Sequence, residues 1–385
     1  MEREAMRMLR KVLVLFMTVL VASVSTVLGQ GPLQPAAAPA PTMKTLAQVE
    51  PRMPITNLPY TITQPGSYYL VGNLTGVTNA HGITVNCNDV AIDLMGFTLS
   101  GAGANSRSGI YQFFDYRNLA VRNGTLVNWL GEGYAAITAY GRNGHFENLT
   151  AITNGRGLDL GACAVISRCQ AAYHTEFGIV VGAQSLIDHC GADHNQNGIY
   201  GDAGAVITDC AASYNSSRGI HAGRGSVISA CAASYNLGDG IDAGDGSAIV
   251  NCAASYNQGR GINTSGSSGL SIKNCAAGWN KSDGIYAVSG CEVLGNTCRN
   301  NGYDVYAGNG AGIRVAGDEN RIDSNHLSDN DQGLAVTSSG NAIMRNTAGG
   351  NATNYAIVAG NATGALINVS GGGAIAGDAW ANIAF

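Results

Sequence analysis

His221 and Asp242 are an imidazole and a carboxylate, a pair that can orient one another for proton transfer when held within hydrogen-bonding reach. They belong to a series, Tyr200, His221, Asp242, Asn263 and Tyr286, spaced 21, 21, 21 and 23 residues apart. Asp202, Arg224 and Asp245 follow members of that series by two or three residues. Aromatic and hydrogen-bonding groups at one recurring interval suit a ligand with its own repeat, such as a polysaccharide chain. Two further clusters, Asp188-His189 and Asp193-His194, carry donors that could hold a metal. They are read as surface variants of a repeated corner, and neither a metal nor a cofactor is assigned. Six of the ten cysteines (Cys169, Cys190, Cys210, Cys231, Cys252, Cys275) also recur at spacings of 20 to 23. No Cys-x-x-Cys pair is present, which argues against zinc, and the glycines form no phosphate-binding loop.

The elements that must position these groups are read from the repeat itself. Asp209 opens Asp-Cys-Ala-Ala-Ser-Tyr-Asn, Ala230 opens Ala-Cys-Ala-Ala-Ser-Tyr-Asn, and Asn251 opens a third copy. Gly-Ile-like starts recur from Gly82 to Gly333, twelve in all. Each copy holds three short strand-like pieces, for example 240–242, 247–250 and 252–255. Three strands per copy predict an all-β, single-stranded right-handed parallel β-helix, a three-sheet solenoid of about twelve coils. A β-propeller would need a period of roughly forty residues. In the solenoid Ile199, Ile220, Ile241, Ile262 and Ile285 stack inside, and the residue after each points outward. The cysteines form an interior column of free thiols that passes into Asn296, Asn325 and Asn346. A second column runs His174, Asn195, Asn215, Asn236, Asn257, Asn280, Asn301, Asn330 and Asn351, and is read as turn asparagines that tolerate a left-handed backbone.

Before the repeats lies a different segment. Arg3, Arg7, Arg10 and Lys11 precede an apolar run from Val12 to Ala22, and Gly29 supplies a small residue for cleavage before Gln30. Residues 1–29 are therefore read as a cleaved export signal rather than a membrane anchor. Residues 30–54 are a Pro/Ala-rich linker with a short capping helix near 43–50, and 55–385 are the β-helix. Loss of 1–29 changes the net charge from −5 to −7, which argues against nucleic acid as a partner. The mature chain is expected to carry no membrane span and to act as a periplasmic, cell-surface or secreted protein. The C-terminal segment from Asp378 to Phe385 is read as an end cap that buries Trp380.

The Gly-Ile starts, the Asn column ending at Asn346 and the opening Pro65-Gly-Ser-Tyr-Tyr-Leu70 … Val90-Ala-Ile-Asp-Leu-Met-Gly96-Phe-Thr-Leu resemble right-handed β-helix proteins of the pectin-lyase-like superfamily. The resemblance covers nearly everything after residue 55. It implies the fold, but the superfamily spans lyases, hydrolases, uronate epimerases and non-catalytic surface proteins. Pectate-type lyases imply several acidic calcium ligands with a basic residue, of which Asp242, Asp245 and Arg224 are a sparse version. Epimerases imply a DPHD-like segment; Asp242-Ala-Gly-Asp245 keeps its two acids and lacks the Pro and the His. The middle coils also leave no long loop to wall a cleft.

These readings favour an exported protein that binds polysaccharide or another extended cell-surface ligand. The ligand would lie along its first sheet, against Tyr200, His221, Arg224, Asp242, Asp245, Asn263 and Tyr286. The alternative is a lyase or epimerase acting through His221 and Asp242; a second alternative is a structural spacer. Intact-mass measurement of protein recovered after export should give a chain beginning at Gln30; retention of residues 1–29 would establish an anchor instead.

Overall fold

The structure, a computed structural model, describes residues 2–25, 50–113, 116–303, 310–372 and 377–385. The chain divides into two units, Met1–Pro51 and Arg52–Phe385. The first contains a helix over Glu2–Ser25. No described helix is long and apolar enough to cross a membrane. The expected capping helix near 43–50 lies almost wholly outside the described residues.

The second unit is an all-parallel β-solenoid whose first strand is Met53–Ile55. One coil shows the plan. Ile220–Ala222 belongs to the first wall, Val227–Ser229 to the second and Ala232–Ser234 to the third. The first wall is a sheet of fourteen strands, while the second and third are continuous in one twenty-eight-stranded sheet. They merge because the long strands Leu119–Trp129 and His145–Ile152 run through both walls and pair with strands of each. Fourteen first-wall strands make fourteen coils, not twelve. The two uncounted coils lie at the ends, at Tyr60–Ile62 and Thr353–Ile357, where Tyr60 and Tyr355 occupy the register that Ile or Leu holds between them.

Burial follows from strand alternation. The interior isoleucines of the first wall are at most 1% exposed from Ile199 to Ile285, each contributing about 2–3 kcal/mol by leaving water. The strand starts are glycine for a packing reason. A Cβ on Gly219 would stand 2.6 Å from Nδ2 of Asn236 and 2.7 Å from the carbonyl of Gly240.

The corners correct one expectation. The asparagines of the second column are not the left-handed residues; the residue before each one is. Tyr214, Tyr235 and Tyr256 have φ of 55°, 59° and 59°, while Asn215, Asn236 and Asn257 are fully buried. Asn236 Oδ1 accepts the N–H of Asn215, and its Nδ2 donates to the carbonyl of Ala212 and to Oδ1 of Asn257. The expected Cys-to-Asn column is continuous: Cys275 N–H donates to Asn296, Asn296 to Asn325 and Asn325 to Asn346. It runs one rung further, to Asn382 in the last strand. A third ladder, at the turn after the first wall, includes Ser226, Ser247, Cys291, Asn320 and Asn341. Cys298 lies outside the thiol column; it pairs with Ala277 in register and is fully buried. The end cap differs. Asn382–Ala384 pairs with the preceding coil, but Trp380 is 54% exposed, with the Arg345 guanidinium 5.1 Å from its ring centre. The segment buries the Asn382 amide rather than the indole.

All ten cysteines are free; eight are buried, and Cys87 and Cys163 are partly so. Burial pushes the Cys298 thiol well up, which suppresses the reactive thiolate. Maleimide labelling counted by mass spectrometry should modify at most these two thiols natively and all ten in denaturant.

His174 stands in the Asn column, with Nδ1 accepting the N–H of Asn154. Burial holds its imidazole neutral, lowering its pKa from 6.5 to about 4. Below 6.5 the unfolded chain binds a proton that the folded chain resists, so stability is lost as pH falls from 6.5 towards 4. His174→Asn should reduce the fall in denaturation midpoint across that window. A residual slope remains from His81, which burial also lowers to about 4.

Candidate functional site

The strand register places Asp159, Val180, Tyr200, His221, Asp242, Asn263, Tyr286 and Arg314 in one outward row of the first wall, on eight consecutive rungs. At a rung spacing of about 4.8 Å the row is roughly 34 Å long. Tyr200 and His221 stack, with ring centres 4.8 Å apart and planes 20° apart, and Phe177 meets Tyr200 edge-on at 6.0 Å. His221 Nδ1 lies 3.1 Å from Asp242 Oδ2, so the carboxylate fixes the ring and Nε2 is the nitrogen left to face a ligand.

The row is less open than alternation alone implies. Asp242 and Asn263 are only 8% and 7% exposed. The cause is a second column, three residues earlier in each coil: Arg218, Asp239, Arg260 and Asp283. Arg218 Nη1 reaches Asp242 Oδ2 at 3.2 Å, giving that carboxylate both a guanidinium and an imidazole. Arg260 Nη1 donates to Asn263 Oδ1 at 2.9 Å, and Asn263 Nδ2 donates to Asp239 at 2.8 Å. The Arg260 guanidinium sits 3.6 Å from the Tyr286 ring centre, a cation–π contact, and its Nε is 3.4 Å from Asp283. Asp283, almost wholly buried, also binds Arg314 Nε at 2.9 Å. The sequence signal for this column is Arg and Asp alternating at the repeat interval, three residues before His221, Asp242, Asn263 and Tyr286 in turn.

A second cluster continues the band. Arg156 donates to Asp159 at 2.8 Å and to Glu176 at 2.6 Å, while the Tyr140 hydroxyl donates to Asp159 at 3.1 Å. Burial, reinforced by the Asp159 charge, raises the Tyr140 pKa to about 12, so its phenol stays a donor. Arg224 and Asp245 do not join the band. They pair with each other at 3.2 Å on the next turn, with Arg224 81% exposed, a geometry that contributes little. Asp202 accepts the N–H of its neighbour Ala203. No described hydrogen bond or ion pair links Asp202, Arg224 or Asp245 to His221 or Asp242.

His194 takes the place of a tyrosine at the third-wall corner, as expected of a variant, and stacks between Tyr173 and Tyr214. His189 instead occupies the corner before Cys190. There the ligand atoms of Asp188, His189 and Asp209 lie within 4.8 Å of one another on an exposed surface.

Residues 198–353 match a family model described as right handed beta helix region. A search of curated proteins finds no match to the chain. Among solved structures, the chain is similar to the A-module of an Azotobacter vinelandii mannuronan C-5 epimerase, at 12% identity over 84% of this chain and 86% of that one, with a TM-score of 0.47. It is similar to a periplasmic alginate epimerase at 11% identity, over 73% and 74% of the two chains, with a TM-score of 0.47. A pectate lyase matches at 15% identity, over 67% and 66%, with a TM-score of 0.34. The chain is a right-handed parallel β-helix, the fold of the pectin-lyase-like superfamily that its sequence resembles.

Proposed function

We propose that the first wall binds an extended polysaccharide, or another extended cell-surface glycan, lying along the solenoid axis. The observation that carries this reading is the continuous band from Asp159 to Arg314. Its rungs repeat at about 4.8 Å, comparable with the length of one sugar unit, so Tyr200 to Tyr286 spans roughly 19 Å. Each arginine of the band is matched to a carboxylate within 3.4 Å, which leaves a balanced, hydrogen-bonding surface rather than a strongly charged one. Stacking and ion pairing hold these side chains in place before a ligand arrives, which lowers the ordering cost of binding. The N-terminal export signal would deliver the mature chain to the compartment where such glycans lie.

A second reading rests on the His221–Asp242 hydrogen bond at 3.1 Å. A histidine so oriented could remove a sugar carbon proton through Nε2, the step shared by polysaccharide lyases and uronate epimerases. Arg218, beside Asp242, would then steady the carboxylate–imidazole pair.

Affinity electrophoresis against neutral and uronate polysaccharides separates these readings. At least one polymer should retard the protein, and Tyr200→Ala and Arg260→Ala should each weaken retention about tenfold. His221→Gln should retain the polymer, with no product formed by either protein. An unsaturated or epimerised product lost in His221→Gln would establish the enzyme, and absence of retention by every polymer would leave the spacer.

A further inference from the structure

Beyond the first wall, the corner between the third wall and the next coil carries a column of aromatic rings. Tyr173, His194, Tyr214, Tyr235, Tyr256 and Trp279 stand on successive coils, all with φ between 54° and 60°. Bulky side chains rarely adopt this backbone region, because Cβ crowds the carbonyl there. The fold itself does not require them. At the same corner the next three coils use Asn300 and Asp329, with φ of 55° and 59°, and Gly350, with φ of 66°. These are residue types that accept the left-handed conformation readily. The aromatics are therefore an addition to the scaffold, and 40–56% of each of the four tyrosines and of Trp279 remains exposed.

From Tyr214 to Trp279 the rings are parallel within 5°, with centres 4.9 to 5.9 Å apart, so each covers its neighbour's faces. The stack breaks at Trp279. Tyr303 meets it at 6.5 Å with the planes tilted by 60°. Beside the indole lies a cleft of about 520 Å³, lined by Trp279, Tyr303, Asn300, Asp329, Asp331 and Asn351 among others. The cation Arg299 at its rim pairs with Asp329 at 3.0 Å.

The geometry points to a second carbohydrate site in this cleft, one that takes a neutral pyranose unit. The indole face offers a platform for the apolar C–H face of a sugar ring. The Asp329 and Asp331 carboxylates offer acceptors to vicinal hydroxyls beside the Arg299 and Gly310 N–H groups they already meet, and two carboxylates against one guanidinium leave this rim net negative, which disfavours a uronate. The site differs from the first-wall band in position and in charge, and does not depend on it.

The test follows tryptophan fluorescence in Trp380→Phe protein, where Trp279 and the buried Trp129 remain. The probes are cellohexaose, mannohexaose, xylohexaose and hexagalacturonate at up to ~10 mM, a range suited to weak sugar sites. At least one neutral oligosaccharide should give a saturable change, and hexagalacturonate should bind at least about tenfold more weakly. Adding Trp279→Asn, which installs the residue type of the next coil, should keep the fold. Isothermal calorimetry on it should show affinity reduced about tenfold or more. In Trp380→Phe protein, Tyr200→Ala should leave the Trp279 fluorescence change and its concentration dependence as they were, while first-wall retention falls. The proposal is overturned if no neutral sugar changes the fluorescence, if Trp279→Asn binds as before, if hexagalacturonate binds as tightly, or if Tyr200→Ala abolishes the Trp279 fluorescence change.

Discussion

The structure depends on the interior amide ladder. The middle coils turn two strand corners on left-handed residues, such as Ala230 and Tyr235, and after the second of these Asn236 points its own N–H into a buried stack. A buried donor left unmet costs about 1–3 kcal/mol. In the second column Asn215 and Asn236 accept the N–H one rung back, donate to a carbonyl further back and pass a side-chain hydrogen to the next amide. The same geometry excludes a Cβ at the strand starts, which makes the Gly-Ile pattern a consequence of the ladder. Thiols serve at the other corner because a buried Cys fills the space and donates weakly, as Cys231 does to the carbonyl of Ile207.

Corners fixed this way set the register of every wall, and that frees the outward positions to vary. The first wall uses the freedom for a polar band in which neighbouring rungs satisfy one another: Arg218 with Asp242, Arg260 with Asn263 and Asp283, Asp283 with Arg314. None of these pairs is needed to close a coil. Their worth lies in holding Tyr200, His221 and Tyr286 at fixed intervals along a straight line. The third-wall corner spends conformational energy on six aromatic residues that the last coils show to be dispensable for the turn.

Much of this was legible in the sequence, for reasons that lie in the period. A 21-residue interval identifies the interior isoleucines, the thiol column passing into Asn296, and the row from Tyr200 to Tyr286, since one alignment fixes them all. The end coils were illegible because Tyr60 and Tyr355 stand where the repeat has Ile or Leu. The roles at the corners were shifted by one residue. Asparagine's tolerance of the left-handed backbone pointed to Asn236, whereas its capacity to ladder put Tyr235 in that conformation instead. The column of Arg218, Asp239, Arg260 and Asp283 shows in the sequence as Arg and Asp alternating at the repeat interval, but alternation says only which way Asp242 points, not that Arg218 will lie across it. Trp380 was placed inside on hydrophobicity alone, where the closing strand needed an amide.

The glycan proposed for the first wall would lie along the row that the strand register fixes. Hydroxyl-radical footprinting with and without a retained polysaccharide reads this directly from side-chain oxidation. Protection of Tyr200, His221 and Tyr286, with Tyr214 and Tyr235 oxidised as before, is the predicted result. Unchanged oxidation of the three row residues in the presence of saturating polymer would contradict it.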